Sequence, residues 1–184
     1  MRWKNDPHRY SSASIALHWA MVVLVVGAYA SAELREAFAH GSAQRAWLMS
    51  AHAFAGLAVF VLVFARLALR AGPRPAIVPA PSRLQSILAA AMHVLLYAFM
   101  VAMPLIGWLL VSAEGTDVGF GAFRLLPLVA PDHALADFAE DLHEGIANVG
   151  YALVGGHAGA ALVHHYLRHD DTLRRMLPWR TKQR

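Results

Sequence analysis

The chain contains no cysteine. Structural disulfides, thiolate-held iron–sulfur clusters and covalent c-type haem attachment through C-x-x-C-H are therefore excluded. Any haem it carries would therefore be held noncovalently. Charge is scarce as well: 15% of the 184 residues are charged and 58% are apolar, against about 25% charged in an ordinary soluble domain. With a mean hydropathy of +0.42, an all-α transmembrane four-helix bundle is the expected class, with residues 1–184 forming a single membrane domain. Internal repeats and low-complexity stretches are missing. The basic residues lie at segment ends without interleaved aromatics, so nucleic acid is not an expected partner; membrane lipid is.

Four apolar stretches are long enough to span a bilayer, at about residues 14–32, 46–69, 84–111 and 140–168. Pro7 precedes the first, and Ser12 or Ser14 is a candidate cap. The flanks of this stretch resemble a secretory signal, with Arg2, Lys4 and Arg9 before it and AYASA after it. Cleavage is not expected, because the run is long enough to span and His18 would leave with the peptide. AGPRPAIVPAPSR after the second stretch holds four prolines and cannot be helical. Pro104 inside the third predicts a kink. Residues 113–137 read as an outer loop with room for a short surface helix, and 169–184 as a basic cytoplasmic tail.

An even number of spans puts both termini on one side, and the positive-inside rule makes that side cytoplasmic. All of the 16 Lys/Arg except Arg35, Arg45 and Arg124 then face inward, while all of the 12 Asp/Glu except Asp6, Asp170 and Asp171 face outward. The expected location is therefore a membrane that borders the cytoplasm. Trp3, Trp19, Trp47, Trp108 and Trp179 fall mostly near segment ends and read as an interfacial belt.

The last span carries His143, Gly150, His157 and His164 at seven-residue intervals, on one helical stripe. His143 and His157 are about 21 Å apart at 1.5 Å per residue, most of the ~30 Å hydrocarbon thickness. Ionisable groups at such depths mark functional sites by default. Depth pairs His52 with His143 near the outer face. It groups His18 with His93, His157 and His164 near the inner one without choosing among them. Two imidazoles from different helices at one depth suit a bis-histidine haem edge-on between helices, and Gly56, Gly150, Gly155, Gly156 and Gly159 remove bulk where a macrocycle would press. Small residues in spans serve helix packing equally well.

RYSSASIALHW at 9–19, AHAFAG followed by Arg66 and Arg70, HVLLYAFMVAMPLIG at 93–107, LHEGIANVGYALVGGHAGAALVHHY at 142–166 and DDTLRRM at 170–176 together resemble the bacterial cytochrome b561 proteins. These are small dihaem membrane cytochromes related to the cytochrome b subunits of nickel–iron hydrogenases. The resemblance implies two b haems, with His52 and His143 ligating the outer iron and His18 and His157 the inner one. His157 is preferred over His164 and His93 because it matches the family's H-x13-H spacing with His143. His93 and His164 are then candidates for propionate or quinone contact, and Arg9, Arg66 and Arg70 for pairing with the inner propionates. Glu144 is a candidate partner for His143.

The expected function is transmembrane electron transfer from a periplasmic one-electron donor to ubiquinone or another membrane quinone. Some family members resemble superoxide:quinone oxidoreductases, but mostly acidic outer loops favour a neutral or basic donor here. One alternative is a membrane-anchor cytochrome b subunit that takes electrons from a partner dehydrogenase without catalysis of its own. Another is a haem-free polytopic protein that uses its histidines for metal or proton movement.

Overall fold

The computed structural model describes residues 10–72, 77–116, 119–120 and 123–177. Four long helices account for most of them: α1 (Ser12–Leu34), α2 (Ala43–Arg70), α3 (Arg83–Ala113) and α4 (His133–Tyr166). Each is long and apolar enough to cross a membrane. Their apolar side chains are widely exposed, as at Val23 (68%), Val61 (61%) and Val94 (67%). In a soluble domain such surface would drive aggregation, whereas a bilayer supplies its apolar partner. The all-α, four-span class expected from composition is the one observed. Arg9, a candidate for propionate pairing, lies outside the described residues, as do Trp3 and Trp179.

The helix ends follow from local chemistry. Ser11, fully buried, caps α1: its Oγ accepts from Ser14 N at 3.0 Å. The cap is thus one residue earlier than Ser12. α1 continues through AYASA to Leu34, where a short 3-10 turn, Arg35–Ala37, follows. Ser42 Oγ accepts from Arg45 N at the start of α2. At the start of α3, Ser82 and Gln85 form a reciprocal capping box, with Ser82 N donating to Gln85 Oε1 at 2.8 Å and Gln85 N to Ser82 Oγ at 3.3 Å. α3 continues through Pro104 and closes at Gly115 (φ +71°), with Thr116 N donating to Val111 O and Gly115 N to Ser112 O. That pair of bonds is a Schellman closure, which needs the left-handed conformation glycine adopts without strain.

α4 begins at His133, earlier than the spacing of apolar residues suggests. Asp132 explains the extra turns, since its Oδ1 accepts from Leu135 N at 3.1 Å just after Pro131. At 34 residues α4 is about 51 Å long, well beyond the ~30 Å hydrocarbon thickness. The loop before it carries no helix among its described residues. Instead β1 (Gly119–Phe120) pairs antiparallel with β2 (Phe123–Arg124), and glycine's poor helix propensity is consistent with that. The loop is also tied to the end of α3: Trp108 Nε1 donates to Leu126 O, Leu128 N to Ser112 Oγ and Asp132 N to Ala113 O.

The chain divides into two compact units. The first contains residues 1–20, 62–98 and 150–184, so the start of α1 packs with the end of α2, the start of α3 and the end of α4. Val63, wholly buried, and Ala13 are among its core. The second contains residues 21–61 and 99–149, with Met21, Leu48, Ala55, Val59, Ala113, Ala136 and Ala139 buried. In each unit successive helices run in opposite directions.

Candidate functional site: two histidine clusters

Each unit contains a histidine cluster. In the second unit, α2 presents His52 and α4 presents His143, with ring centres 6.0 Å apart and planes crossed at 69°. His52 Nδ1 lies 2.9 Å from Ala28 O on α1. A carbonyl only accepts, so Nδ1 carries the proton and Nε2 keeps its lone pair. His143 packs against α3 at Gly107, where a Cβ would stand 3.2 Å from Cε1 and 3.5 Å from Nδ1 of the ring. A methyl there would press the ring back by a few tenths of an ångström. His143 Nδ1 is buried without a hydrogen-bond partner, and Glu144, expected as its helper, is turned to the exposed face of α4. Gly56, one turn beyond His52, is half-buried, yet a Cβ there would meet nothing within 4 Å.

The first unit gathers three imidazoles. His18 and His157 have ring centres 6.4 Å apart and planes crossed at 85°, and His93 and His157 are 5.6 Å apart at 73°. His93 Nδ1 donates to Ala89 O of its own helix at 2.6 Å. Beside them is a small cleft, partly open to the surroundings, lined by Tyr10, Ser14, Arg66, Arg70, His93 and Tyr97, with Leu69 and Met176. Arg66 Nη1 is buried without a partner, and the Arg70 guanidinium lies 5.3 Å from the Tyr97 ring centre. A Cβ at Gly159 would meet nothing within 4 Å, and one at Gly156 would stand 3.5 Å from the Met92 methyl.

His164 is not in this group. It donates through Nδ1 to Asp170 Oδ2 at 2.6 Å, and Asp170 also accepts from Thr172 N. Burial raises the Asp170 carboxyl, but the bonds from His164 and Thr172 outweigh it and hold the group below its usual range. Asp171 accepts from Val78 N and pairs with Arg175, while Trp19 Nε1 donates to Met176 O at 2.6 Å. Residues 170–176 are thereby fastened along one side of the unit. In the second unit, Arg35 and Arg45 both pair with Glu36 at 3.0 Å.

The residues present fit a haem on three counts. A metal–imidazole bond is about 2 Å and the ring centre is about 1.1 Å further, so two imidazoles on one iron have centres about 6.2 Å apart. The His52/His143 and His18/His157 separations straddle that value, whereas His93/His157 falls short of it. Empty space beside Gly56 and Gly159 could take the edge of a flat ring. The unpartnered Arg66 Nη1 is suited to a carboxylate such as a propionate. Among the described residues, no group of three or more His, Asp or Glu could hold a metal ion by itself.

Four membrane-length helices with paired imidazoles define a polytopic b-type cytochrome. Consistent with that class, residues 9–179 match the family described as prokaryotic cytochrome b561, and the chain belongs to that family. It is 40% identical over 174 residues to cytochrome b561 homolog 1 of Escherichia coli K12, covering 94% of this chain and 99% of that protein. It is 38% identical to the probable superoxide oxidase CybB of Yersinia pestis, covering 92% and 96%. Cytochrome b561 homolog 2 of E. coli K12 is 31% identical, with 96% and 95% covered. The chain is therefore a multi-pass bacterial membrane protein of an electron-transport family, and membership implies b haem binding.

Proposed function

We propose that the chain moves electrons across the bacterial inner membrane through two noncovalent b haems, from a periplasmic one-electron donor to the quinone pool, with both termini cytoplasmic. The observation that carries this reading is the pair of imidazole separations, 6.0 and 6.4 Å, each spanning two different helices. When bound, a b haem supplies one-electron exchange at iron. His52 and His143 hold the outer group and His18 and His157 the inner one. The His52 Nδ1 bond to Ala28 O fixes that ring's tautomer and leaves Nε2 as the nitrogen that would hold an iron. With its Nδ1 edge against Gly107, His143 would likewise use Nε2. Arg66 and Arg70 take the inner propionates, and His93, lining the same cleft, contributes to propionate or quinone contact. His164 bonds Asp170 through Nδ1, and His157 is preferred to it as the inner ligand because the His157 ring is the one that meets His18.

Two observations pull the donor assignment in different directions. Likeness to a protein named as a probable superoxide oxidase supports superoxide. Against it, two of the three outward basic residues, Arg35 and Arg45, share Glu36 as an ion-pair partner, which leaves little positive field to steer an anion. Quinone reduction driven by superoxide, and slowed by added salt, would favour superoxide; no quinone reduction with superoxide would favour another donor. The main test is haem counting in single histidine variants. His52→Ala, His143→Ala, His18→Ala and His157→Ala should each retain one of two haems. Retention of both in His143→Ala would contradict the reading.

A further inference from the structure

The contacts around His52 and His143 meet on two consecutive residues of α1. Ala28 O accepts from His52 Nδ1 on α2 at 2.9 Å, and the Tyr29 hydroxyl donates to Ala147 O on α4 at 2.8 Å. Ala147 is one helical turn beyond His143. One peptide step on a third helix is therefore bonded to both of the helices that carry the imidazoles. Next to it, Ser31 Oγ donates to Gly27 O at 2.8 Å and Ala28 O at 3.0 Å. This buried serine shares the Ala28 carbonyl with the His52 ring. Serine back-bonding of this kind bends helices and tilts the carbonyls it engages. The Ala28 oxygen is thus drawn from two sides, and its direction limits where the imidazole can point.

We propose that the Ala28–Tyr29 step is the positioning device of the His52/His143 pair. Ala28 orients the His52 ring, and Tyr29 sets the placement of α4, and with it His143, against that ring. This rests on reading the two histidines as axial ligands of one haem. Tyr29 acts through the backbone of α4. A part-buried backbone acceptor engaged by a phenol is a local restraint, because the lowered dielectric strengthens the bond and makes its loss costly. The relative angle of the two ring planes, 69°, is the quantity this restraint controls.

Tyr29→Phe removes only the hydroxyl and keeps the ring. The test is low-temperature electron paramagnetic resonance of the oxidised, full-length, haem-loaded protein, whose low-spin signals report the angle between axial ring planes, with a redox titration of each haem and a thermal melt alongside. The expected result is two haems at full content, one with a shifted highest-g resonance and midpoint and the other unchanged. Two haems with both signals and both midpoints unmoved would overturn the proposal, even if the melt were lowered, because that is what a purely structural contact would give. A wild-type preparation with fewer than two haems would instead overturn the ligand reading itself. If Tyr29→Phe loses both haems, Ser31→Ala decides: it frees the shared Ala28 carbonyl and leaves Tyr29 in place. The same single signal moving supports the device, and an unmoved signal overturns it.

Discussion

Gly107 offers the sharpest test of the outer pair, because the collision is specified atom by atom. In Gly107→Ala the new Cβ would stand 3.2 Å from His143 Cε1. Carbon–carbon contacts are optimal at about 3.5–4.0 Å, so the ring must yield by roughly 0.3–0.8 Å. Over a lever of roughly 3.5 Å from the rotation axis, that is a tilt of about 5–13°, inside the ~30° range over which a side chain leaves its rotamer for about 1 kcal/mol. Overpacking costs about 1–3 kcal/mol, while replacing a mid-helix glycine with alanine returns about 1 kcal/mol. The two nearly offset, so the variant should fold and insert normally. Its haem spectrum should not be normal: the paramagnetic signal and midpoint of one haem should move while the other stays. Gly107→Val, with two further methyls against the ring, should lose that haem. If Gly107→Ala and Gly107→Val both kept two haems with wild-type signals, His143 would not be an axial ligand.

Other expected outcomes are simpler to check. His164→Ala should keep both haems by pyridine haemochrome, because the ring that meets His18, at 6.4 Å between centres, is that of His157; loss of one would move the inner ligand to His164. Arg66→Gln should shift the midpoint of one haem downward in a redox titration, since a guanidinium beside a propionate favours the reduced, less positive iron site; an unchanged midpoint would remove Arg66 from the propionate assignment. Asp170 has a depressed carboxyl, so the stability it contributes is present above the unfolded-state value near 4 and is lost as pH falls through the lower folded-state value. Hydrogen exchange in residues 170–177 should therefore accelerate below about pH 4 in the wild type. In Asp170→Asn the exchange should be fast throughout, with no such step.

Much of this architecture is legible in the sequence because a bilayer imposes strong constraints. Runs of some twenty apolar residues announce spans, and the prolines between Gly72 and Arg83 rule out a helix there. The boundaries were less legible. Asp132 and Ser11 extend their helices through caps that apolar spacing does not register, and AYASA, which resembles a cleavage flank, turns out to be the last turns of α1. Pairing by depth brought His52 to His143 but could not separate His18, His93, His157 and His164 in the first unit. That distinction depends on side-chain direction: the ring that meets His18 is that of His157, while His164 turns to Asp170 six residues later. Tyr29, Tyr10 and Tyr97 carried no signal, because a tyrosine in an apolar run looks like any interfacial aromatic. Gly107 stood out only as part of PLIG, since its role depends on which neighbouring ring it faces.

The most direct measurement is a redox titration of the dithionite-reduced minus oxidised spectrum of the purified protein after haem-replete expression, with haem counted per chain. The account predicts two b haems, a sharp alpha band and two resolvable midpoints. A colourless protein, or a single haem titrating as one centre, would contradict it.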